Sequence, residues 1–263
     1  MMRLSYIARR NLASKPLQTA LSVILLAFGV GMVSLMMLAE RQMSDQFERN
    51  IKDIDLVLGA KGSPLQLILA NVYHVDAPTG NISLAEAEKV MRNPYIESGI
   101  PLAYGDNYRS FRIVGTEHSY PAHYDAVISE GLLWEGIFDV TLGYTVASKT
   151  GLKVGDEFFS SHGLKDETDV HKDKAFTVVG ILAQSNSVID KLILTGVESV
   201  WGVHAEHDDL ELSVEELYAS REITAVLLKK RNPMAILTLP NLLRETNMQV
   251  ALPAIEINRL NQQ

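Results

Sequence analysis

The feature that most constrains the fold of this chain is an apolar run at residues 17–39, LQTALSVILLAFGVGMVSLMMLA, whose 23 residues include no charge. As a helix it spans about 34 Å, enough to cross a hydrocarbon core of ~30 Å. A cleaved export signal has an apolar region of only about 7–15 residues and a small residue where Met37 stands here. A buried core helix is the other alternative, but such runs are usually shorter. We therefore predict a transmembrane helix at residues 17–39.

Charges on either side of this run predict its orientation. Residues 1–16 contain four basic residues and no acid, whereas Glu40, Asp45 and Glu48 follow the run. The positive-inside rule places the N-terminus in the cytoplasm and residues 40–263 outside it. The first segment mixes apolar and cationic residues, which suits either a short helix in the cytoplasmic membrane interface or a plain charged flank.

Small residues recur along one side of the predicted transmembrane helix. Ala20, Ala27, Gly31 and Ser34 are spaced i, i+7, i+11 and i+14, and at ~100° per residue they fall within about 60° of one another. Such a stripe lets a second helix approach closely, which lipid does not require. We predict helix packing there, with a chance distribution of small residues as the alternative.

The rest of the chain predicts a mixed α/β domain of the α+β class, because its helices are scattered among strands without steady alternation. Predicted strands have β-branched, alternating or continuous apolar patterns, and they are 55–60, 108–115, 126–131, 157–161, 175–183, 191–195, 223–230 and 248–252. Predicted helices, two with Ser–x–x–Glu capping boxes at Ser83 and Ser213, are 64–73, 83–93, 144–151, 213–219 and 233–246.

Chemical motifs are sparse. The 20 basic and 32 acidic residues after position 16 give a net charge of −12, which excludes the basic surface of a nucleic-acid binder. GAKGSP (59–64) lacks the spacing of a phosphate loop and predicts a turn into a helix. HAEHDD offers His204, His207 and Asp208 as weak metal-ligand candidates, since two histidines at i and i+3 can share a helix face. We predict no catalytic residue and no cofactor site in this chain.

Several segments carry a family resemblance. They are ARRNLASKPLQTALSVILLAFGVG, DLVLGAKGSPLQLILANVYHVDAPTGNIS, LGYTVASKTGLKVGDEF and FTVVGILAQSNSVIDKLILTGVESVWGVH. In this order and spacing they resemble the permease subunit of ABC transporters of the MacB/FtsX-like class. The LKVGDEF turn and the VVGIL strand followed by SxxDKxIL are the most specific parts of the match.

The resemblance implies an inner-membrane permease with four spans and a large periplasmic core domain of two subdomains between the first and second. It implies a separate cytoplasmic ATPase that binds ATP and Mg²⁺, a permease dimer, and a periplasmic adaptor or substrate protein. On this basis residues 40–263 end just before an expected second span, and we interpret the chain as a fragment. The alternative is a single-span anchored periplasmic binding protein.

Overall fold

Two helices form the first part of the chain. The structure, a computed structural model, describes residues 4–161, 170–204 and 221–261, and the chain divides into the units Met1–Glu48 and Arg49–Gln263. Helix α1 (Leu4–Ser14) precedes α2 (Pro16–Ile51). Proline is favoured at the first position of a helix, because the N–H that it lacks would have no partner within the helix there. Pro16 accordingly begins α2.

Helix α2 is long and apolar enough to cross a membrane. Its large apolar side chains are exposed along the whole predicted span, from Leu17 at 85% to Leu38 at 54%. A continuous apolar face of this size requires a covering, which a membrane would provide. The helix continues beyond residue 39 as far as Ile51.

The second unit, Arg49–Gln263, is built on a ten-stranded sheet and a two-stranded sheet. Within the described residues the strands are β1 (Leu56–Ala60), β2 (Ile82–Ser83), β3 (Ile96–Tyr108), β4 (Phe111–Thr116), β5 (Ile128–Gly131), β6 (Asp139–Leu142), β7 (Glu157–Ser161), β8 (Val170–Leu182), β9 (Leu192–Gly196), β10 (Glu222–Ile223), β11 (Ala225–Lys230) and β12 (Met248–Ala251). The helices are α3 (Pro64–Asn71), α4 (Leu84–Met91), α5 (Ser119–His123), α6 (Tyr144–Thr150), α7 (Val197–His204), α8 (Met234–Leu242) and α9 (Pro253–Asn261), with a 3₁₀ turn at Val188–Lys191.

Four antiparallel strands form one part of the large sheet, in the order β12, β1, β11, β3. Both faces of these strands are buried, since Val57 packs with Leu67 of α3 while its neighbour Leu58 packs with the α4 and α8 side chains. Burial on both faces explains the continuous apolar sequences of β1 and of residues 225–228 in β11.

Six strands form a small closed barrel as the other part. Strands β3, β4, β9, β6, β8 and β7 pair in that order, and β7 returns to β3 through the Asn107–Ser161 pair. Ile113, Val140, Phe158 and Ile193 belong to one buried cluster drawn from these strands. Closure leaves fewer unpaired strand edges to be protected.

The predicted fold class is confirmed: an N-terminal apolar helix is followed by a mixed α/β domain. The strand predicted at 108–115 is wrong as a single element. β3 ends at Tyr108, and Arg109 (φ 45°) and Ser110 (φ 69°) turn the chain into β4. Two positive φ angles at a two-residue hairpin usually call for Asn-Gly, so the usual signal for this turn is absent.

The two predicted capping boxes have different outcomes. Ser83 makes no side-chain cap to α4 and pairs instead with Glu222 in the two-stranded sheet. Ser213 and the predicted helix 213–219 lie outside the described residues. The predicted turn at GAKGSP does contain a cap, because the Ser63 hydroxyl accepts the Gln66 N–H at 3.4 Å before Pro64 opens α3.

Gly180 tests the packing of β8. A Cβ added at Gly180 would overlap the Leu132 carbonyl oxygen, whereas one added at Gly105 of β3 would lie 3.3 Å from Val200. We expect Gly180→Ala to cost about 1–3 kcal/mol of unfolding free energy and to lower Tm by about 2–12 °C. Gly105→Ala, the control, is expected to change Tm far less. Circular dichroism on heating measures both, and equal Tm values for the two variants would contradict this close approach.

Candidate functional site

The predicted small-residue stripe lies on an exposed part of α2. Ala20, Ala27, Gly31 and Ser34 are all exposed, and a Cβ added at Gly31 would meet nothing within 4 Å. The structure therefore leaves room for a second helix, and packing at the stripe stays a prediction.

The predicted metal site lies mostly outside the described residues and stays a prediction. His204 is the last residue of α7, while His207 and Asp208 lie outside the described residues. Within residues 4–161, 170–204 and 221–261, no three His, Asp or Glu side chains are grouped to hold a metal ion.

The structure instead assembles a buried polar cluster beside the last turn of α2. We call Asn50, His74, Tyr104, Tyr120 and Tyr124 the junction cluster. Asn50 and Tyr120 are 4% and 0% exposed. The five residues come from α2, the loop after α3, strand β3, and α5 with the residue after it. The cluster therefore links segments that are far apart in the sequence.

Hydrogen bonds fix the protonation of His74 within this cluster. The Tyr104 hydroxyl donates to the Ala70 carbonyl, so its oxygen is free to accept from His74 Nδ1 at 2.8 Å. A neutral imidazole carries one N–H, and His74 Nε2 therefore accepts the Tyr120 hydroxyl at 2.7 Å. His74 has φ 56°, a backbone conformation in which His is more frequent than most residues.

Burial keeps the cluster uncharged. Burial, reinforced by the Arg112 guanidinium, lowers the pKa of His74 to about 3. Burial also raises the pKa of Tyr104, Tyr120 and Tyr124 well above the usual value for tyrosine. Arg112 lies over the Tyr104 ring at 4.4 Å, and its charge opposes protonation of the imidazole. The cluster is thus a neutral hydrogen-bonded connection and not an acid–base pair.

Asn50 connects the end of α2 to two loops of the domain. Its backbone carbonyl accepts the Tyr124 hydroxyl at 3.1 Å, and its side-chain oxygen accepts the Val188 N–H at 3.3 Å. The first contact occupies one of the carbonyls that a helix end leaves unpaired. The next residue, Ile51, packs against the apolar cluster that includes Tyr120 and Ile189.

The loop before Val188 is held by one carboxylate. Asp190 accepts the backbone N–H groups of Ser185 and Asn186 at 2.9 and 2.8 Å, and also the Ser185 hydroxyl at 2.7 Å. Because three donors converge on Asp190, the loop keeps a shape that presents the Val188 N–H to Asn50.

Comparison with protein families assigns the chain. Residues 19–224 match the model of the MacB-like periplasmic core domain. The chain belongs to this family. No curated protein sequence matches it closely enough to count as a relative.

Solved structures are similar to this chain. The periplasmic region of MacB from Actinobacillus actinomycetemcomitans matches with a TM-score of 0.50 at 11% identity, over 81% of this chain and 97% of that one. The extracellular domain of the noncanonic ABC-type transporter YknZ from Gram-positive bacteria matches at TM-score 0.43 and 11% identity, over 74% and 98%. A domain of a putative permease protein from Porphyromonas gingivalis matches at 0.42 and 15%, over 76% and 89%.

The two most specific motifs of the MacB-like resemblance have structural roles here. SxxDKxIL supplies Asp190 and the Val188 N–H that reaches Asn50. LKVGDEF forms the turn before β7, in which Asp156 accepts the Lys153 N–H at 2.9 Å and Gly155 takes φ 94°. In these contacts neither motif supplies a chemically reactive side chain, and both motifs hold the backbone in position.

Sequence reasoning missed the junction cluster. One signal was present, because Tyr120 and Tyr124 are spaced i, i+4 in SYPAHYD and such residues share a helix face. Nothing local links either tyrosine to Asn50, which precedes them by 70 residues or more. The contact with Asn50 forms only in the tertiary structure of the domain, where residues distant in the sequence come together.

The junction cluster predicts an acid-sensitive stability. Unfolded His74 binds a proton below about pH 6.5, whereas the folded residue resists protonation down to a pKa of about 3. The unfolded state therefore binds more protons in this window, and stability falls as pH falls through it. We expect His74→Gln to be less stable at pH 7 and its deficit, measured as the urea midpoint, to shrink towards pH 4.5.

The control for this measurement is Gly180→Ala, which destabilises without removing a titrating group. Its deficit in the urea midpoint is expected to stay constant with pH. A constant deficit for His74→Gln as well would show that the imidazole is not held neutral by folding.

Proposed function

We propose that this chain belongs to the permease subunit of an ABC transporter and passes ATP-driven motion from the membrane to its extracytoplasmic domain. Family membership and the exposed apolar helix α2 support this function. A separate cytoplasmic ATPase subunit binds ATP and Mg²⁺, as membership of this family suggests. The N-terminus is cytoplasmic and the domain periplasmic, as the four cations before the span favour.

The single observation that carries the proposal is the buried attachment of Asn50. A transmitted motion requires the last turn of α2 to move with the domain, and a surface ion pair such as Lys52–Asp125, at 3.1 Å between exposed side chains, holds it weakly. Asn50 is different because it is 4% exposed and both of its hydrogen bonds are at least partly buried. Removing such a partner leaves a buried polar group unpaired, at a cost of about 1–3 kcal/mol.

The partners in the membrane follow from the small-residue stripe. We propose that Ala20, Ala27, Gly31 and Ser34 pack against another transmembrane helix of the permease or of a second copy. All four are exposed along α2, and close helix approach in lipid depends on such small residues. A periplasmic adaptor or a substrate protein is the expected partner of the outer domain.

Co-purification tests the assignment. The membrane protein encoded by the gene that contains this chain is affinity-purified in mild detergent with ATP and a hydrolysis-deficient ATPase background. We expect an ABC ATPase subunit to be recovered in an ATP-dependent complex. A permease that is recovered intact and without any ATPase would favour the alternative, a membrane-anchored binding protein.

A second experiment tests the role of Asn50. The chain has no cysteine, so Val127→Cys, at a 66% exposed side chain, can carry a single spin label. With the ATPase and ATP bound, we expect the label's mobility to change, and Asn50→Leu to remove most of that change without releasing the ATPase. The control is Asn241→Leu, on the exposed surface of α8. An undiminished response in Asn50→Leu would contradict coupling through this residue.

A further inference from the structure

An open cleft of about 640 Å³ contains none of the five junction-cluster residues in its lining. Its walls come from the segment after β4, the segment before β6, and the start of α7. Three carboxylates, Glu117, Glu135 and Glu198, line it. Among the described residues that line it there is no lysine or arginine, so the cleft has a negative potential.

A buried tryptophan gives the cleft a directed donor. Trp134 is 4% exposed, and its backbone carbonyl accepts the His118 Nε2–H at 2.7 Å, while the two rings meet edge to face at 4.9 Å. No hydrogen bond to the indole N–H is found within residues 4–161, 170–204 and 221–261. The indole nitrogen is not among the fully buried polar atoms without a partner, so its N–H is open to the cleft. The Trp134 ring is thus fixed in place with its donor unused.

The unused donor and one carboxylate converge on a single point. A Cβ added at Gly196, which lines the cleft, would lie 3.6 Å from Trp134 Nε1 and 3.0 Å from Glu198 Oε2. A group bound there both accepts a hydrogen bond from the indole and donates one to the carboxylate. Glycine at this position keeps the space open.

The described carboxylates of the cleft are not grouped as a metal site. Among the described residues no three His, Asp or Glu side chains are grouped to coordinate a metal ion. A ligand that reaches several separated carboxylates and also offers an acceptor to Trp134 has to be an extended organic cation. A peptide with basic side chains has both features, because its amide carbonyls accept hydrogen bonds and its guanidinium groups donate in pairs to carboxylates.

We propose that this cleft binds a basic peptide segment, with an arginine side chain on Glu198 and a peptide carbonyl on the indole N–H of Trp134. The site does not depend on the transporter assignment, because its ligand and its test involve no ATPase. The neighbouring Glu117 and Glu135 attract further basic residues of the same segment.

The experiment is calorimetric titration of the whole chain in uncharged detergent at 0.15 M salt. The probe is the acetylated, amidated peptide Arg-Gly-Arg-Gly-Arg. We expect it to bind, and its citrulline analogue, which has the same shape without the charge, to bind at least about tenfold more weakly. Spermidine, a cation without a carbonyl group, is also expected to bind more weakly. Equal affinity for the citrulline peptide or for spermidine, or no binding of the arginine peptide, would overturn the proposal.

Matched variants separate the site from general surface charge. Glu198→Gln and the exposed Glu245→Gln remove the same charge, and only Glu198→Gln is expected to weaken binding, by about tenfold. Trp134→Phe is expected to weaken it as well while circular dichroism shows a folded domain. If Glu198→Gln and Glu245→Gln weaken binding equally, the peptide is held by net charge alone and the site does not exist.

Discussion

The buried amide of Asn50 is the interaction on which the second unit of this structure depends. A helix end leaves carbonyl groups without intrahelical partners, and at the end of α2 Asn50 is buried against protein. The Tyr124 hydroxyl satisfies the Asn50 carbonyl, and the Asn50 side chain satisfies the Val188 N–H. The segment after α5 and the Asp190 loop must therefore both reach residue 50, which restricts the path of the chain between them.

The long strand β3 explains why this contact affects the whole domain. Its first half pairs with β11 up to the Leu102–Ala225 pair, and its second half pairs with β4 from Ala103 onward. Tyr104 lies where the partner changes, and its N–H donates to the Thr224 hydroxyl at 2.9 Å. Because Tyr104 also belongs to the junction cluster, the end of α2 is connected to the residue at which the barrel and the four-stranded sheet meet.

Local patterns in the sequence were sufficient where a run of apolar residues by itself predicts the helix or strand. The uncharged run at 17–39 predicted α2, and the apolar strand at 55–60 predicted β1 within one residue. They failed where the structure depends on distant contacts. The turn at Arg109 and Ser110 contains no glycine, so the usual sequence signal for such a turn is missing. The indole of Trp134 lines the cleft beside Gly196 of β9, which is distant in the sequence. Neither the turn nor the contact between Trp134 and Gly196 produces a periodic pattern in the sequence.

The short helix α5 brings the two sites of the domain into one element. The cleft is lined by Glu117 and His118, which precede α5, and by Ser119, its first residue. The next residue, Tyr120, donates to His74 in the junction cluster. A displacement of α5 would alter both the cleft and the junction cluster, because Tyr120 is fully buried and would move with the helix. If the cleft binds its ligand more tightly in one position of α5, ligand binding shifts the equilibrium between the two positions by the ratio of the two affinities. The junction cluster shifts with it. Under the proposed function, a ligand bound in the cleft therefore acts on the end of α2 through the same residues that are proposed to transmit motion.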